Sequence, residues 1–156
     1  MEFSYCLGVA ADAEYIRACA ARQGISERMR LLGPMAYEDT LAQMKRASIF
    51  AIPSLQEGLG LALQEALFHG CAAVGSKVGG IPELIDDEVN GLLAPPGDVA
   101  ALSAALERLM SDSSLLQRFG AQARPSILRK GMTAPSMLQG YLDLYRKLLP
   151  AHHNPP

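Results

Sequence analysis

Two carboxylates flank a glycine-containing loop in the middle of this 156-residue sequence. Glu57 directly precedes Gly58 and Gly60, and Glu65 follows eight residues after Glu57. Glycines allow a chain to turn tightly and to approach a ligand closely. A helix that begins near Gly60 would add unpaired N–H groups and a positive dipole end. The glycine loop and the helix end together favour a phosphate-binding site, beside which a carboxylate could accept hydroxyl groups of the ligand.

Each glutamate also has a simpler interpretation. Glu65 lies among apolar residues, so its carboxylate would lose hydration and would need hydrogen-bonding partners. An ion pair with His69, four residues further along the same predicted helix, would provide one and is worth about 0.2–0.5 kcal/mol. A ligand hydroxyl is the other interpretation. For Glu57 the alternative is a solvated loop residue, because two glutamates at this spacing are common.

The elements around this loop predict a parallel α/β sheet with right-handed crossovers. Ser48–Pro53 and Ala72–Ser76 are apolar at successive positions, as expected of strands that are covered on both faces. Between them, Leu61–His69 is apolar nearly all round and is interpreted as a buried helix. Since ligands of such sheets bind at the carboxyl ends of the strands, the Glu57 loop lies where a site is expected.

The remaining elements continue this alternation and then give way to helices. The strands are Phe3–Gly8, Met29–Gly33 and Gly91–Ala94, and the helices are Ala13–Arg22 with Asp12 as its cap, Tyr37–Ala47 and Pro82–Ile85. From Asp98, which caps the next helix, only helices are predicted. Ser111 or Ser113 begins the second of them and Thr133 the third.

Charge and cysteine content exclude several classes of protein. The 16 acidic and 14 basic residues give a formal net charge of −2, which argues against a nucleic-acid-binding module with its basic stripe. No apolar run reaches the ~18 residues of a membrane span, and no signal-peptide pattern is present. The three cysteines are widely spaced, so neither a disulfide framework nor a zinc site is expected. We expect a cytoplasmic protein. Peripheral attachment to the inner face of the membrane is the alternative.

The segment from Pro53 to Gly70 resembles the signature of retaining glycosyltransferases of family 4, which have the GT-B architecture. It reads Pro-Ser-x-x-Glu-Gly-Leu-Gly-Leu-x-x-x-Glu-Ala-x-x-x-Gly, and Glu57 and Glu65 match the two glutamates of the family motif. Other segments resemble the family in the same order along the chain. They are Leu31–Pro34, Val74–Ser76, Gly79–Ile85, Asn90–Pro95 and Gly97–Asp98, so that the resemblance covers residues 5–148.

The resemblance implies a Rossmann-like parallel sheet flanked by helices, the C-terminal half of a GT-B fold, followed by a helical C-terminal segment. Residues 1–149 would form a donor-binding domain without its first strand–helix unit, and residues 150–156 a flexible tail. In the family this domain binds a nucleotide-diphosphate sugar, and the enzyme transfers the sugar to an acceptor with retention of configuration.

The resemblance also implies roles for individual residues. Glu57 is the candidate catalytic residue and would contact hydroxyl groups of the donor sugar, whereas Glu65 would accept from the ribose hydroxyls. The amides of the loop Gly58, Leu59, Gly60 and Leu61 would approach the sugar and the phosphates. The loop of Gly33, Pro34 and Met35 would border the base. Ser54, Gly79 and Gly80 are further candidates for the donor site.

The sequence departs from the family pattern in two respects. The acceptor-binding domain is not found in these residues, nor is the first strand–helix unit, whose loop carries an arginine and a lysine for the diphosphate. No basic residue lies between Pro53 and Glu65, and Lys45, Arg46 and Lys77 are interpreted as surface charges. The chain alone is therefore expected to be inactive, as a truncation, one half of a split enzyme or a pseudogene product. The missing strand also predicts an opening in the sheet between strands Phe3–Gly8 and Ser48–Pro53.

Two alternative functions are weighed against a transferase donor domain. The first is a non-catalytic nucleotide-sugar-binding or interaction fragment. The second is a nicotinamide-dependent oxidoreductase, which would need Gly-x-Gly-x-x-Gly after the first strand, and Gly8–Ala11 lacks that pattern. Because no Asp-x-Asp pair is present, we expect no catalytic metal and no cofactor besides the donor substrate.

The last predicted helix carries a periodic apolar stripe that needs a partner surface. Its members are Leu138, Tyr141, Leu142, Tyr145 and Leu148. In the family this helix packs against the N-terminal domain, so here the stripe is expected to be partly exposed. The expected partners are a nucleotide sugar, a separate acceptor-binding domain and, through this helix, a second copy of the chain.

Overall fold

The computed structural model describes residues 3–5 and 13–149. The predicted end of the first strand at residues 6–8, the Asp12 cap and the tail from residue 150 lie outside the described residues. By its internal contacts the chain divides into two compact units, Met1–Gln43 and Met44–Pro156.

The first unit is built on two parallel strands. Strand β1 (Phe3–Tyr5) pairs with β2 (Met29–Leu31). Helix α1 (Ala13–Arg22), with the predicted bounds, and a short 3-10 helix (Ser26–Arg28) lie between them in sequence. Gly24 follows α1 with φ 65°, the left-handed conformation that glycine adopts at the end of a helix. Helix α2 (Tyr37–Arg46) leads towards the second unit of the chain.

The second unit contains a three-stranded parallel sheet in the order β3-β4-β5. The strands are β3 (Ile49–Ile52), β4 (Ala72–Ser76) and β5 (Gly91–Ala94). Helices α3 (Leu61–Phe68) and α4 (Ile81–Leu84) connect them. The predicted α/β class, a parallel sheet flanked by helices, is confirmed. Among the described strands, β1 pairs with β2 in the first unit, and β3, β4 and β5 pair in the second. The predicted opening in the sheet stays a prediction.

Two apolar clusters line the two faces of the three-stranded sheet. Every residue of β4 is buried, and Ala73 belongs to one cluster while Val74 belongs to the other, because successive side chains of a strand point to opposite faces. Helices α3 and α6 pack on β4, and the second cluster is centred on the fully buried Phe119. The site-bearing edge of this sheet is therefore supported by packing from both sides.

Burial differs from the prediction in two elements. Ala51 of β3 is exposed, so the predicted coverage of this strand on both faces is wrong at that residue. Helix α3 packs on the face of β3 that carries Phe50 and Ile52, and Ala51 points to the other face, at the edge of its sheet. Helix α3 is not buried all round either. Leu63 and Leu67 are fully buried, but Leu61 is 65% exposed, because α3 covers the sheet with one face only.

Three longer helices follow the sheet, and each begins at a capping side chain. They are α5 (Val99–Ser111), α6 (Ser113–Arg129) and α7 (Ala134–Leu148). Asp98 and Thr133 cap α5 and α7, as predicted. Helix α6 begins at Ser113, one of the two predicted starts, because the Asp112 carboxylate accepts from the Leu115 amide at 2.9 Å.

Helix α7 has no buried residue, which confirms that its apolar stripe is exposed. The exposed apolar side chains are Met137, Leu138, Tyr141, Leu142, Leu144, Tyr145 and Leu148. Self-association through this stripe stays a prediction. Within the described residues, neither α7 nor any other helix combines the length and the apolar character that crossing a membrane requires.

The Cys71 thiol is shielded at the start of β4. The residue is fully buried, and its Sγ lies 3.2 Å from the Met44 carbonyl oxygen and 3.4 Å from that of Ala47. Burial raises the pKa of the Cys71 thiol to about 11, because the thiolate would be poorly solvated there. The thiol therefore stays protonated and unreactive in the folded protein at neutral pH.

We expect iodoacetamide at about pH 8 to alkylate the half-buried Cys19 and to spare Cys71 until the protein is denatured, as read by peptide mass mapping. Since an unfolded thiol ionises near pH 8.5, the stability gained by burying neutral Cys71 is complete below that pH. It is lost as the pH rises towards about 11. Alkylation of Cys71 at equal rates in native and denatured protein would contradict this expectation.

Candidate functional site

Three loops at the carboxyl end of the three-stranded sheet carry the candidate residues of the second unit. They are residues 53–60 after β3, residues 77–80 after β4 and residues 95–98 after β5. The first and third loops are in contact. Leu55 of the first loop packs beside Gly97 of the third, where an added Cβ would lie 3.7 Å from Leu55 Cδ2. Parallel strands place these loops at one edge, where ligands of such sheets bind.

The Glu57 carboxylate is half-buried and oriented by neighbouring donors. Ser54 Oγ donates to Glu57 Oε2 at 3.4 Å, and the Gly58 amide donates to Glu57 Oε1 at 3.1 Å. An ionised carboxylate offers about four acceptor sites, so these two bonds leave acceptor capacity for a ligand. The loop thus presents a carboxylate whose direction is already set.

Gly60 is the N-cap residue of helix α3, but it provides no side-chain hydrogen bond to the helix. The residue is buried and has φ 81° and ψ 52°, a left-handed conformation that favours glycine. A Cβ at Gly60 would lie 3.4 Å from Leu84 Cδ1 and 3.7 Å from Glu57 Cγ. Because glycine has no side chain, the first amides of α3 receive no side-chain cap. This helix end can therefore donate to an anion next to Glu57.

Gly79 and Gly80 pack directly on the backbone of the Glu57 loop. The Gly80 amide donates to the Gly58 carbonyl oxygen at 2.7 Å. A Cβ added to Gly79 would lie 1.8 Å from the Glu57 carbonyl oxygen, and one added to Gly80 would lie 2.7 Å from the Gly58 carbonyl oxygen. Both distances are too short for real atoms, so a side chain at either position would displace the loop.

Glu65 lies in the second turn of α3 and is half-buried, so the expected loss of hydration is partial. The helix that carries it is anchored at two points, one in the connection between α6 and α7 and one on α6. Gln64 Nε2 donates to the Met132 carbonyl oxygen at 2.9 Å, and the Arg124 guanidinium lies 4.5 Å from the centre of the Phe68 ring. These contacts fix the helix on which Glu65 is placed.

The predicted site residues fall into two groups. The second unit brings together Ser54, the loop from Glu57 to Leu61 and the pair Gly79–Gly80, with Glu65 on the adjoining helix. Gly33, Pro34 and Met35 lie in the first unit, between β2 and α2. Lys45, Arg46 and Lys77 are exposed, which confirms their interpretation as surface charges. The sequence does not predict that Gly79 and Gly80 pack on Glu57 and Gly58. The two adjacent glycines are the only sequence feature that points to this contact.

Metal-binding side chains are not concentrated at this edge. Across residues 3–5 and 13–149, no three side chains of histidine, cysteine, aspartate or glutamate are grouped as a metal site would require.

Comparison with known proteins gives consistent matches. A family model described as glycosyl transferases group 1 matches residues 7–126. D-inositol 3-phosphate glycosyltransferase of Corynebacterium diphtheriae is 33% identical over 116 residues, which are 74% of this chain and 27% of that protein. The chain spans roughly a third or less of the length of the curated relatives it matches.

Solved structures resemble the chain over most of its length. Sucrose-phosphate synthase from Thermosynechococcus elongatus has a TM-score of 0.80 at 25% identity, covering 93% of this chain and 38% of that one. HepE from Anabaena, solved in complex with UDP-glucose, has a TM-score of 0.66 at 26% identity, covering 77% of this chain and 34% of that one.

Proposed function

Because this chain belongs to the glycosyl transferases group 1 family, with its GT-B fold, we propose that it binds the nucleotide-diphosphate sugar donor of a retaining glycosyltransferase. The observation that carries the proposal is the uncapped N-terminus of α3 at Gly60, directly beside the oriented carboxylate of Glu57. A diphosphate sugar needs both an anion-binding group and hydroxyl acceptors, and this edge offers the two together.

Three parts of the donor have proposed binding residues in the second unit: the diphosphate, the sugar and the ribose. The loop from Gly58 to Leu61 approaches the diphosphate and the sugar, and its amides from Leu59 to Leu61 are the proposed donors, because the helix end is partly positive and the Gly58 amide already donates to Glu57 Oε1. The Glu57 carboxylate accepts from sugar hydroxyls, and Glu65 accepts from the ribose hydroxyls. Retaining transfer by this family uses positioning and charge stabilisation of the leaving diphosphate, so we propose that no metal or other cofactor takes part.

Transfer is proposed for a complete enzyme and binding for this chain. The sequence from Pro53 to Glu65 holds no basic residue, and a departing diphosphate is normally stabilised by arginine, lysine or a metal. The chain covers 27% of the Corynebacterium relative. We therefore expect these 156 residues on their own to bind a donor without turning it over. That behaviour corresponds to the alternative of a nucleotide-sugar-binding fragment.

Isothermal titration of the purified chain with UDP, UDP-glucose, ADP-glucose and GDP-mannose tests the proposal. We expect saturable one-site binding of at least one nucleotide sugar, weakened by added salt because the diphosphate contact is electrostatic. Gly140→Ala is the matched control, since an added Cβ there meets nothing within 4 Å, and its affinities should equal those of the parent chain. Absence of binding across the whole panel would contradict the proposed function.

A further inference from the structure

We propose that Ser54, Gly79 and Gly80 are positioning residues that hold Glu57 in its binding orientation, and that they do not themselves contact the donor. This inference rests on the proposed function, because it assigns a role to the residues around the same carboxylate. The three residues are called the Glu57 support below.

The backbone part of the Glu57 support is a close contact between two loops. The Gly80 amide bonds the Gly58 carbonyl oxygen at 2.7 Å, and Gly79 leaves room for the Glu57 carbonyl oxygen where a Cβ would be 1.8 Å away. A carbonyl that fills the space beside a glycine leaves no room there for a ligand. Both glycines therefore act on the neighbouring loop through its backbone.

The Glu57 support is itself fixed to the core through α4, which begins directly after Gly80. Ile81 and Leu84 of α4 are fully buried, and Lys130 Nζ donates to the Glu83 carbonyl oxygen at 2.6 Å at the other end of the helix. The chain of contacts runs from α6 through α4 to Gly80 and then to the Gly58 carbonyl. These contacts tie the backbone of the Glu57 loop to buried residues of the core.

The side-chain part of the Glu57 support is Ser54. Its hydroxyl donates to Glu57 Oε2 at 3.4 Å, opposite the Gly58 amide on Oε1. Together these bonds set the direction of the carboxylate before a ligand arrives, which saves the entropy of ordering it on binding. Glu57 is proposed to bind the sugar, so only the affinity for the sugar part of the donor should depend on this preset orientation.

The test is a ratio of affinities measured by titration with UDP and with UDP-glucose. For Gly79→Ala we expect both affinities to fall, because the displaced loop also carries the amides assigned to the diphosphate, but affinity for UDP-glucose should fall about tenfold further than affinity for UDP, because only the sugar contact depends on the carboxylate. Glu57→Ala should change the ratio of the two affinities by the same factor, and the ratio in the double variant of Gly79→Ala with Glu57→Ala should shift no further than in Glu57→Ala alone. If Gly79 has a purely structural role, Gly79→Ala should lower the affinities for UDP and UDP-glucose by the same factor.

A second pair of variants covers the case in which Gly79→Ala does not fold, as judged by circular dichroism. Ser54→Ala adds no atoms and should shift the ratio in the same direction, whereas Ser54→Thr keeps the hydroxyl and should restore it. Gly140→Ala is the control for a glycine-to-alanine change. If the parent chain binds UDP-glucose and both Gly79→Ala and Ser54→Ala keep its ratio, the inference is wrong and the proposed function stands. If the parent chain binds none of the nucleotides, both are overturned.

Discussion

Glu65→Ala should weaken binding of UDP and of UDP-glucose alike, by about 5- to 150-fold. The proposed partners of this carboxylate are the ribose hydroxyls, which both ligands contain, and leaving buried hydroxyls unpaired costs about 1–3 kcal/mol. Alanine is a good helix former, and α3 is anchored through Gln64 and Phe68, so the helix should persist. Titration calorimetry with the two ligands measures the effect.

Two variants make this result specific. Glu107→Ala removes an exposed glutamate from the middle of α5 and should leave both affinities unchanged. Glu57→Ala should reduce affinity for UDP-glucose only, and in a complete enzyme built around this chain it should lower kcat more than it weakens nucleotide binding. An unchanged affinity for UDP in Glu65→Ala, or a loss confined to UDP-glucose, would reject the ribose assignment.

Phe119→Ala should lower the free energy of unfolding by about 3–5 kcal/mol, as read from urea unfolding followed by circular dichroism. The ring is fully buried in the cluster that also contains Val74 and Leu109. Its removal would cost both the transfer free energy of the ring and the cavity that remains. Because α6 packs on β4, this loss weakens the sheet that supports the site.

Tyr145→Ala is the matched truncation of an aromatic side chain. Tyr145 is 58% exposed on α7, so its removal should change the free energy of unfolding by less than about 0.5 kcal/mol. Equal losses for the two variants would mean that the cluster around Phe119 does not determine the stability of the second unit.

Local chemistry made most of the elements predictable. Helix Ala13–Arg22 and strands Ala72–Ser76 and Gly91–Ala94 have the predicted bounds, because their apolar patterns and flanking glycines act within a few residues. Asp98 caps α5 as expected, since a capping carboxylate bonds an amide only three residues away. The candidate site followed from the same reasoning, because the Glu57 loop comes directly after a strand and directly before a helix.

Burial could not be predicted at the same level. The apolar composition of Leu61–His69 predicted a helix buried all round, yet Leu61 is 65% exposed. Composition reports how apolar a segment is, whereas exposure depends on which of its faces has a neighbour. The same limit applies to Ala51, whose strand is apolar but lies at the edge of its sheet.

The sequence by itself determined the α/β class, the order of the strands and helices and the position of the Glu57 loop at a strand end, because these depend on periodicity and on contacts between near neighbours. Only the tertiary structure decided that Gly79 and Gly80 press on the backbone of Glu57 and Gly58, which are more than twenty residues earlier in the chain. Contacts at that separation arise from the pairing of β3 with β4, which brings two loops to one edge. A glycine pair predicts a turn, but what fills the space beside it depends on the loop that the sheet places there.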